Sequence, residues 1–166
     1  MKVEYPNALR FTLQDDVYLL EEDKLNYSSV PIIQPEIKTP QISFNYLGAN
    51  KKNFLILVNY SGFDFMADEH LTALESVLNR LGNSRDDVAI LNTAKNSASY
   101  AVIADHFKPK TLLILGQESM PDGVVQLKFN QVEKQREVSM LFTFSFGAMM
   151  TSTDNKKAFW EQVKIL

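Results

Sequence analysis

The chain of 166 residues contains no cysteine, and that absence removes whole classes of chemistry. Without thiols there is no disulfide, no thiolate nucleophile, no cysteine-bound zinc and no ordinary iron–sulfur cluster. Histidine is scarce, at two residues, and no G-x-S-x-G elbow occurs, so a serine hydrolase has no support. No G-x-G-x-x-G or Walker A sequence occurs either. Gly62 stands alone in SGFDF, beside an aspartate that would repel an anion. The opening MKVEYPNALRF lacks an apolar signal core and no run is long enough to span a bilayer, so the expected location is cytoplasmic, with no membrane partner. A formal charge of −3 with the two signs interspersed argues against binding nucleic acid by neutralising many phosphates. No internal repeat or low-complexity segment appears.

What is present is an alternation of strands and helices. FLILVNY, Phe54 to Tyr60, is a short apolar run bounded by polar residues and Ser61-Gly62, the pattern of a strand covered on both faces. Leu71, Leu74, Leu78 and Leu81 then recur at helical steps with Val77 beside them, and Gly82 is placed to close that helix. Asp87 to Asn92 reads as a second buried strand, Ser97 to Phe107 as a second helix and Thr111 to Gly116 as a third strand. Such an order predicts a parallel sheet with helices on both faces. Pro121-Asp122-Gly123 is a turn signal and VVQLKF a short alternating run. EVSMLFTFSF predicts a strand, Glu137 to Phe146, with Val138, Met140, Phe142, Phe144 and Phe146 on one face. A final helix is capped by Thr153 or Asp154 and turns Ala158, Phe159, Val163 and Leu166 to the core, with Trp160 and Ile165 beside them.

The first third reads differently. Leu9, Phe11, Leu13, Val17, Tyr18, Leu19 and Leu20 mix with charged residues without a clean period. VPIIQPEIKTPQ follows, with Pro31, Pro35 and Pro40 removing backbone donors and holding the residues before them extended. Two readings fit: a strap along the domain surface, or an extended peptide docked on a partner. The expected division is an arm and strap over 1–50 and an α/β domain over 51–166.

Three polar groups are candidates for chemistry. Asn92, Thr93 and Lys95 stand at the carboxyl end of the second strand, where crevices of parallel sheets open, and they read either as a site or as a loop amide capping the next helix. Asp64, Asp68, Glu69 and His70 can be drawn as a metal site, but acidic residues in a first helical turn are what the macrodipole favours, so no cofactor and no metal is expected. His106 sits near a helix end, an ordinary place for a hydrogen-bonded histidine.

Taken in order, DDVAILNTAKN, FKPKTLLILG and SFGAMMTSTDNKKAFWEQVKIL resemble three segments of the uracil-DNA glycosylase-like superfamily, over about two thirds of the chain from Phe54 to Leu166. The closest patterns are its family-4 glycosylases and the psi subunit of bacterial DNA polymerase III. The resemblance implies that Asn92 falls where the enzymes keep an asparagine for the uracil edge, and that Lys95 matches a lysine just after it. It puts Ser145-Phe146 where a catalytic His-Pro pair should stand, so nothing evident remains to stabilise charge on a departing base. The water-positioning loop is not recoverable in Asn59 to Phe65, and the cluster cysteines of family 4 are absent.

The resemblance therefore implies a three-layer α/β/α sandwich with a mostly parallel sheet in order 2-1-3-4, serving as a psi-like, non-catalytic adaptor in DNA replication. In that family psi bridges the chi subunit and the tau/gamma clamp-loader ATPase, which makes a clamp-loader or other replisome protein the expected partner and nucleic acid a less favoured one. Phe11, Val17, Leu19 and Leu20 are the candidate docking residues of the arm, and Asn92, Lys95 and Ser145 the remnants of a base pocket. The alternatives are a base-recognising protein with a non-standard site, and an orphan domain that forms a homo-oligomer.

Overall fold

Two five-residue runs in which every residue is buried, Phe54–Val58 (β2) and Val88–Asn92 (β3), pair in parallel at the heart of the sheet in a computed structural model that describes residues 43–166. Side chains alternate along them. Leu55, Leu57, Ala89 and Leu91 enter one core, while Phe54, Ile56, Val58, Val88 and Ile90 enter the other. Each fully buried large side chain of this kind contributes about 1.5–3 kcal/mol of burial free energy, which makes these strands the nucleus of the domain's stability.

Thr111–Leu115 (β4) pairs in parallel with β2, and Val138–Thr143 (β6) in parallel with β4. Two short edges complete the sheet. Tyr46–Gly48 (β1) runs antiparallel to β3, and Gln131–Gln135 (β5) runs antiparallel to β6, giving the order β1-β3-β2-β4-β6-β5. The expected order 2-1-3-4 with parallel pairing holds for the four interior strands, β3-β2-β4-β6, but the two antiparallel edges correct the sheet as a whole to a six-stranded mixed one. β1 also lies before residue 50, within the compact unit Ile42–Leu166, although the sequence reading assigns its residues to the arm. Phe11, Val17, Leu19 and Leu20 lie outside the described residues.

β1 owes its place to Gly48. At φ +105 a Cβ there would stand 2.7 Å from the carbonyl oxygen of Arg85 and closer still to that of Val88, a fit open to glycine alone. The turn that follows uses asparagine twice in the left-handed region, Asn50 at φ 52 and Asn53 at φ 54. The Asn50 amide then donates to the Phe107 carbonyl at 3.1 Å, which ties this turn to the end of a helix on the sheet's face.

Helices cover both faces. Asp68–Arg80 (α1) buries Leu74 and Leu78. It ends as its sequence predicts, with Gly82 at φ 72, the Asn83 amide donating to the Leu78 carbonyl at 2.9 Å and the Gly82 amide to the Asn79 carbonyl at 3.1 Å. Phe146–Thr151 (α3) and Thr153–Val163 (α4) share its core through Phe146, Met149, Phe159 and Val163. Tyr100–Phe107 (α2) packs Ile103 and Phe107 into the opposite core, beside Phe44 and Tyr46. Among the described residues no helix is long and apolar enough to cross a membrane.

The chain's last third departs from expectation in two respects. The strand from Glu137 does not continue to Phe146: it ends at Thr143, and Ser145 caps α3 by accepting from the Ala148 amide at 3.3 Å. Val138, Met140 and Phe142 do share a core, but Phe144 and Phe146 belong to the other one, because the chain has left the sheet before they are reached. The cap of α4 is Ser152 rather than Thr153 or Asp154, its hydroxyl accepting from the Asn155 amide at 3.3 Å. Ile165, expected beside the core stripe, is 63 % exposed.

Candidate functional site

The carboxyl ends of the interior strands converge on Asn92, Thr93, Gly116 and Ser145, which is where a sheet of this kind offers a crevice. Asn92 is completely buried and its amide is saturated. Its Oδ1 accepts from the backbone amides of Tyr60 at 3.0 Å and Ala94 at 3.2 Å. Its Nδ2 donates to the carbonyl oxygens of Tyr60 and Phe63, both at 2.8 Å, and more weakly to that of Asp64 at 3.3 Å. Two lone pairs and two N–H groups are all that a primary amide has. Asn92 therefore staples the loop Tyr60–Asp64 to the end of β3 and has no polar edge left for a ligand.

The neighbouring groups do the same kind of work. Thr93 donates to the Val58 carbonyl from its amide at 2.8 Å and from its hydroxyl at 3.1 Å. Asn59 donates from Nδ2 to the Thr93 hydroxyl at 3.2 Å and to the Glu118 carbonyl at 2.8 Å, joining the loops after β2, β3 and β4. Asn96 donates to the Asn92 carbonyl at 2.9 Å and to the Asn45 carbonyl at 3.1 Å. Lys95 is exposed on the turn between them.

Tyr60 and His70 form a second polar pair on the other side of the stapled loop, with the phenol oxygen 2.7 Å from Nδ1. The Tyr60 ring stands edge-on to Phe63, and the His70 ring lies over Phe146, with centroids 6.2 and 5.7 Å apart respectively. Burial pushes the Tyr60 phenol up to about 12, so it stays neutral at any physiological pH. His70 is thus engaged by an aromatic pair. Among the described residues no three His, Asp or Glu side chains are gathered as a metal site would need.

An open crevice of about 600 Å³ does exist next to this network, between the loop after β4 and the end of β6. Ser145 lines it, together with Gly116, Glu118, Gln126 and a wall of Phe129, Phe142 and Phe144. The three rings pack edge to face, Phe129 standing 5.3 Å from Phe142 and 4.8 Å from Phe144. At its edge Gly116, at φ +92, brings its backbone close to Ser145, where a Cβ would come within 3.0 Å of the serine Cβ. Glu118 is the one titratable side chain among its described lining residues. Among the described residues no cation or histidine lines it, so these residues bring no acid and base pair to the crevice.

No family model matches the chain, and no curated protein matches it.

Of the three residues expected to mark a base pocket, Ser145 alone lines the crevice. Asn92 faces the Tyr60–Asp64 loop, Lys95 points to solvent, and Ser145 lines the crevice while capping α3. Sequence reasoning missed Tyr60, Gly116 and Phe129. A glycine directly after a strand was the available signal for Gly116, whereas the Tyr60–His70 pair joins residues whose contact only the turn between β2 and α1 creates.

Proposed function

We propose that this chain is a non-catalytic protein-interaction subunit, and that it acts as a psi-like adaptor in the clamp-loader complex of the replicative DNA polymerase III. The observation that carries the reading is the Asn92 amide. In the glycosylases that the sequence resembles, the asparagine at this place reads the uracil edge, and here all of its hydrogen-bonding capacity goes to the Tyr60–Asp64 backbone and the Ala94 amide. Ser145-Phe146 in place of the His-Pro pair supports the same conclusion, since a serine that caps a helix offers no charge to a leaving base. A glycosylase-like α/β/α scaffold without its chemistry is left with its surfaces. The assignment to psi is supported by the three ordered sequence segments, and the arm carrying Phe11, Val17, Leu19 and Leu20 is the segment proposed to meet the ATPase.

The test is affinity recovery from the source organism with the full chain and with a chain beginning at Ile42, which keeps β1. Clamp-loader subunits are expected with the full chain and are expected to be lost with the shorter one. Recovery of no replisome protein would sink the adaptor reading. Release of uracil from uracil-containing DNA by the purified chain would sink the non-catalytic half.

A further inference from the structure

A second concavity lies in the helical layer, between α1 and the pair α3–α4, away from the network around Asn92. Its floor is apolar: Phe146, Met149, Phe159 and Trp160, with Ala73 and Val77 along one wall. Its volume is about 200 Å³, below the roughly 300–1,000 Å³ usual for small-molecule sites. A hollow of that size takes one or two side chains of a partner rather than a whole cofactor. Met150, 42 % exposed at its edge, adds a side chain that adapts to different shapes.

Charge says what kind of partner. Among the described residues the polar groups lining the groove are Arg80 from α1 and Lys156 from α4, both cationic and exposed, and no carboxylate lines it. Among the described residues neither cation makes an ion pair. The whole chain carries −3, so this positive edge is local and runs against the average. Lys156 is the fourth residue of α4, close to the helix start, where the macrodipole disfavours a cation. Helix stability therefore gives no reason for its position. The walls are helices whose backbone groups are already paired, so an occupant is held by side chains rather than by strand addition.

We propose that this groove docks an amphipathic helical segment of a partner protein, with apolar anchors three or four residues apart and acidic residues on their flanks. The inference rests on the reading of the chain as an interaction subunit and specifies the chemistry of one partner surface. Trp160 is the single tryptophan of the chain and lines the groove, so its emission reports occupancy directly.

The test pans a displayed library of short random peptides on the full chain and titrates the enriched peptides, made synthetically, against Trp160 emission. Enriched peptides are expected to pair apolar residues at helical spacing with Asp or Glu, to shift Trp160 emission, and to bind Arg80→Glu/Lys156→Glu roughly tenfold more weakly. Peptides with Lys in place of the acids are expected to prefer the reversed chain. Both residues are exposed, and Met150→Glu, which sets a carboxylate at the groove edge, provides the same readout should the double variant fail to fold. Enrichment of peptides without acidic residues, equal binding to the variants, silence of Trp160, or no enrichment at all would each overturn the proposal. Clamp-loader recovery by a chain that fails this test would sink the groove alone. Acidic-peptide binding by a chain that recovers no replisome protein would sink the adaptor reading alone.

Discussion

Replacing Asn92 with alanine separates a structural staple from a ligand-reading residue. The native amide makes three short bonds to the stapled loop, to the Tyr60 amide at 3.0 Å and to the Tyr60 and Phe63 carbonyls at 2.8 Å. Net loss of each is worth about 1 kcal/mol. The side chain is completely buried, so Asn92→Ala also leaves a small void, and the expected destabilisation is about 3 kcal/mol. For a chain of this length that corresponds to a fall of roughly 6 to 12 °C in Tm. Thermal unfolding followed by circular dichroism measures it, and hydrogen exchange at the Tyr60 amide shows whether the loop has come loose. Asn92→Asp is expected to be at least as damaging at neutral pH, because the introduced carboxylate would face the carbonyl oxygens of Tyr60 and Phe63. That penalty should shrink as the pH falls and the carboxylate takes up a proton. A drop of less than about 2 °C for Asn92→Ala, with the Tyr60 amide as protected as before, would show that the staple does not hold the loop. It would return Asn92 to the residues available for a ligand.

Three further outcomes follow from other parts of the molecule. Gly48→Ala forces a Cβ against the Arg85 and Val88 carbonyls and is expected to cost about 2–3 kcal/mol or to detach β1; undiminished exchange protection in β1 with unchanged stability would contradict this. Tyr60→Phe removes the hydrogen bond to His70 at about 1 kcal/mol. It also changes the alkaline limb: the native phenol stays protonated in the folded chain up to about 12, against 10.0 when unshifted, so folded-state binding of that proton makes stability fall from pH 10 upward. The variant should lose that extra fall, as urea unfolding between pH 9 and 11 would reveal. Phe159→Ala, at a site 4 % exposed, should cost about 3–5 kcal/mol, whereas Phe129→Ala, at 53 %, should cost well under half of that. Equal losses would mean that the aromatic wall of the crevice is part of the core.

The residues that declared themselves in sequence were those whose environment is uniform. FLILV and VAILN are apolar throughout because both faces of the sheet are covered, and α1 carries its leucines at helical steps and its glycine at the end because one face is buried and the chain must turn. β5, by contrast, is Gln-Val-Glu-Lys-Gln, an edge strand with one neighbour and little apolar contact, and its composition reads as loop. β1 has three residues and depends on a close approach at Gly48 that no local pattern announces. The alternation through Phe144 and Phe146 misled for a related reason: periodicity continues in the text after the strand has stopped, and Ser145 starts a helix instead.

By itself the sequence determined the α/β class, the places of the interior strands, and the absence of any cysteine-based chemistry, since these depend on composition and on repeats between near neighbours. It also marked Asn92 as unusual, a polar residue closing an apolar strand. Only the tertiary structure decided what that residue does. The loop it holds begins 32 positions earlier in the chain, at Tyr60, and hydrogen bonds across such distances are set by how the strands pack. The same holds for the groove of Arg80, Lys156 and Trp160, whose walls come from three helices that meet only when the core closes.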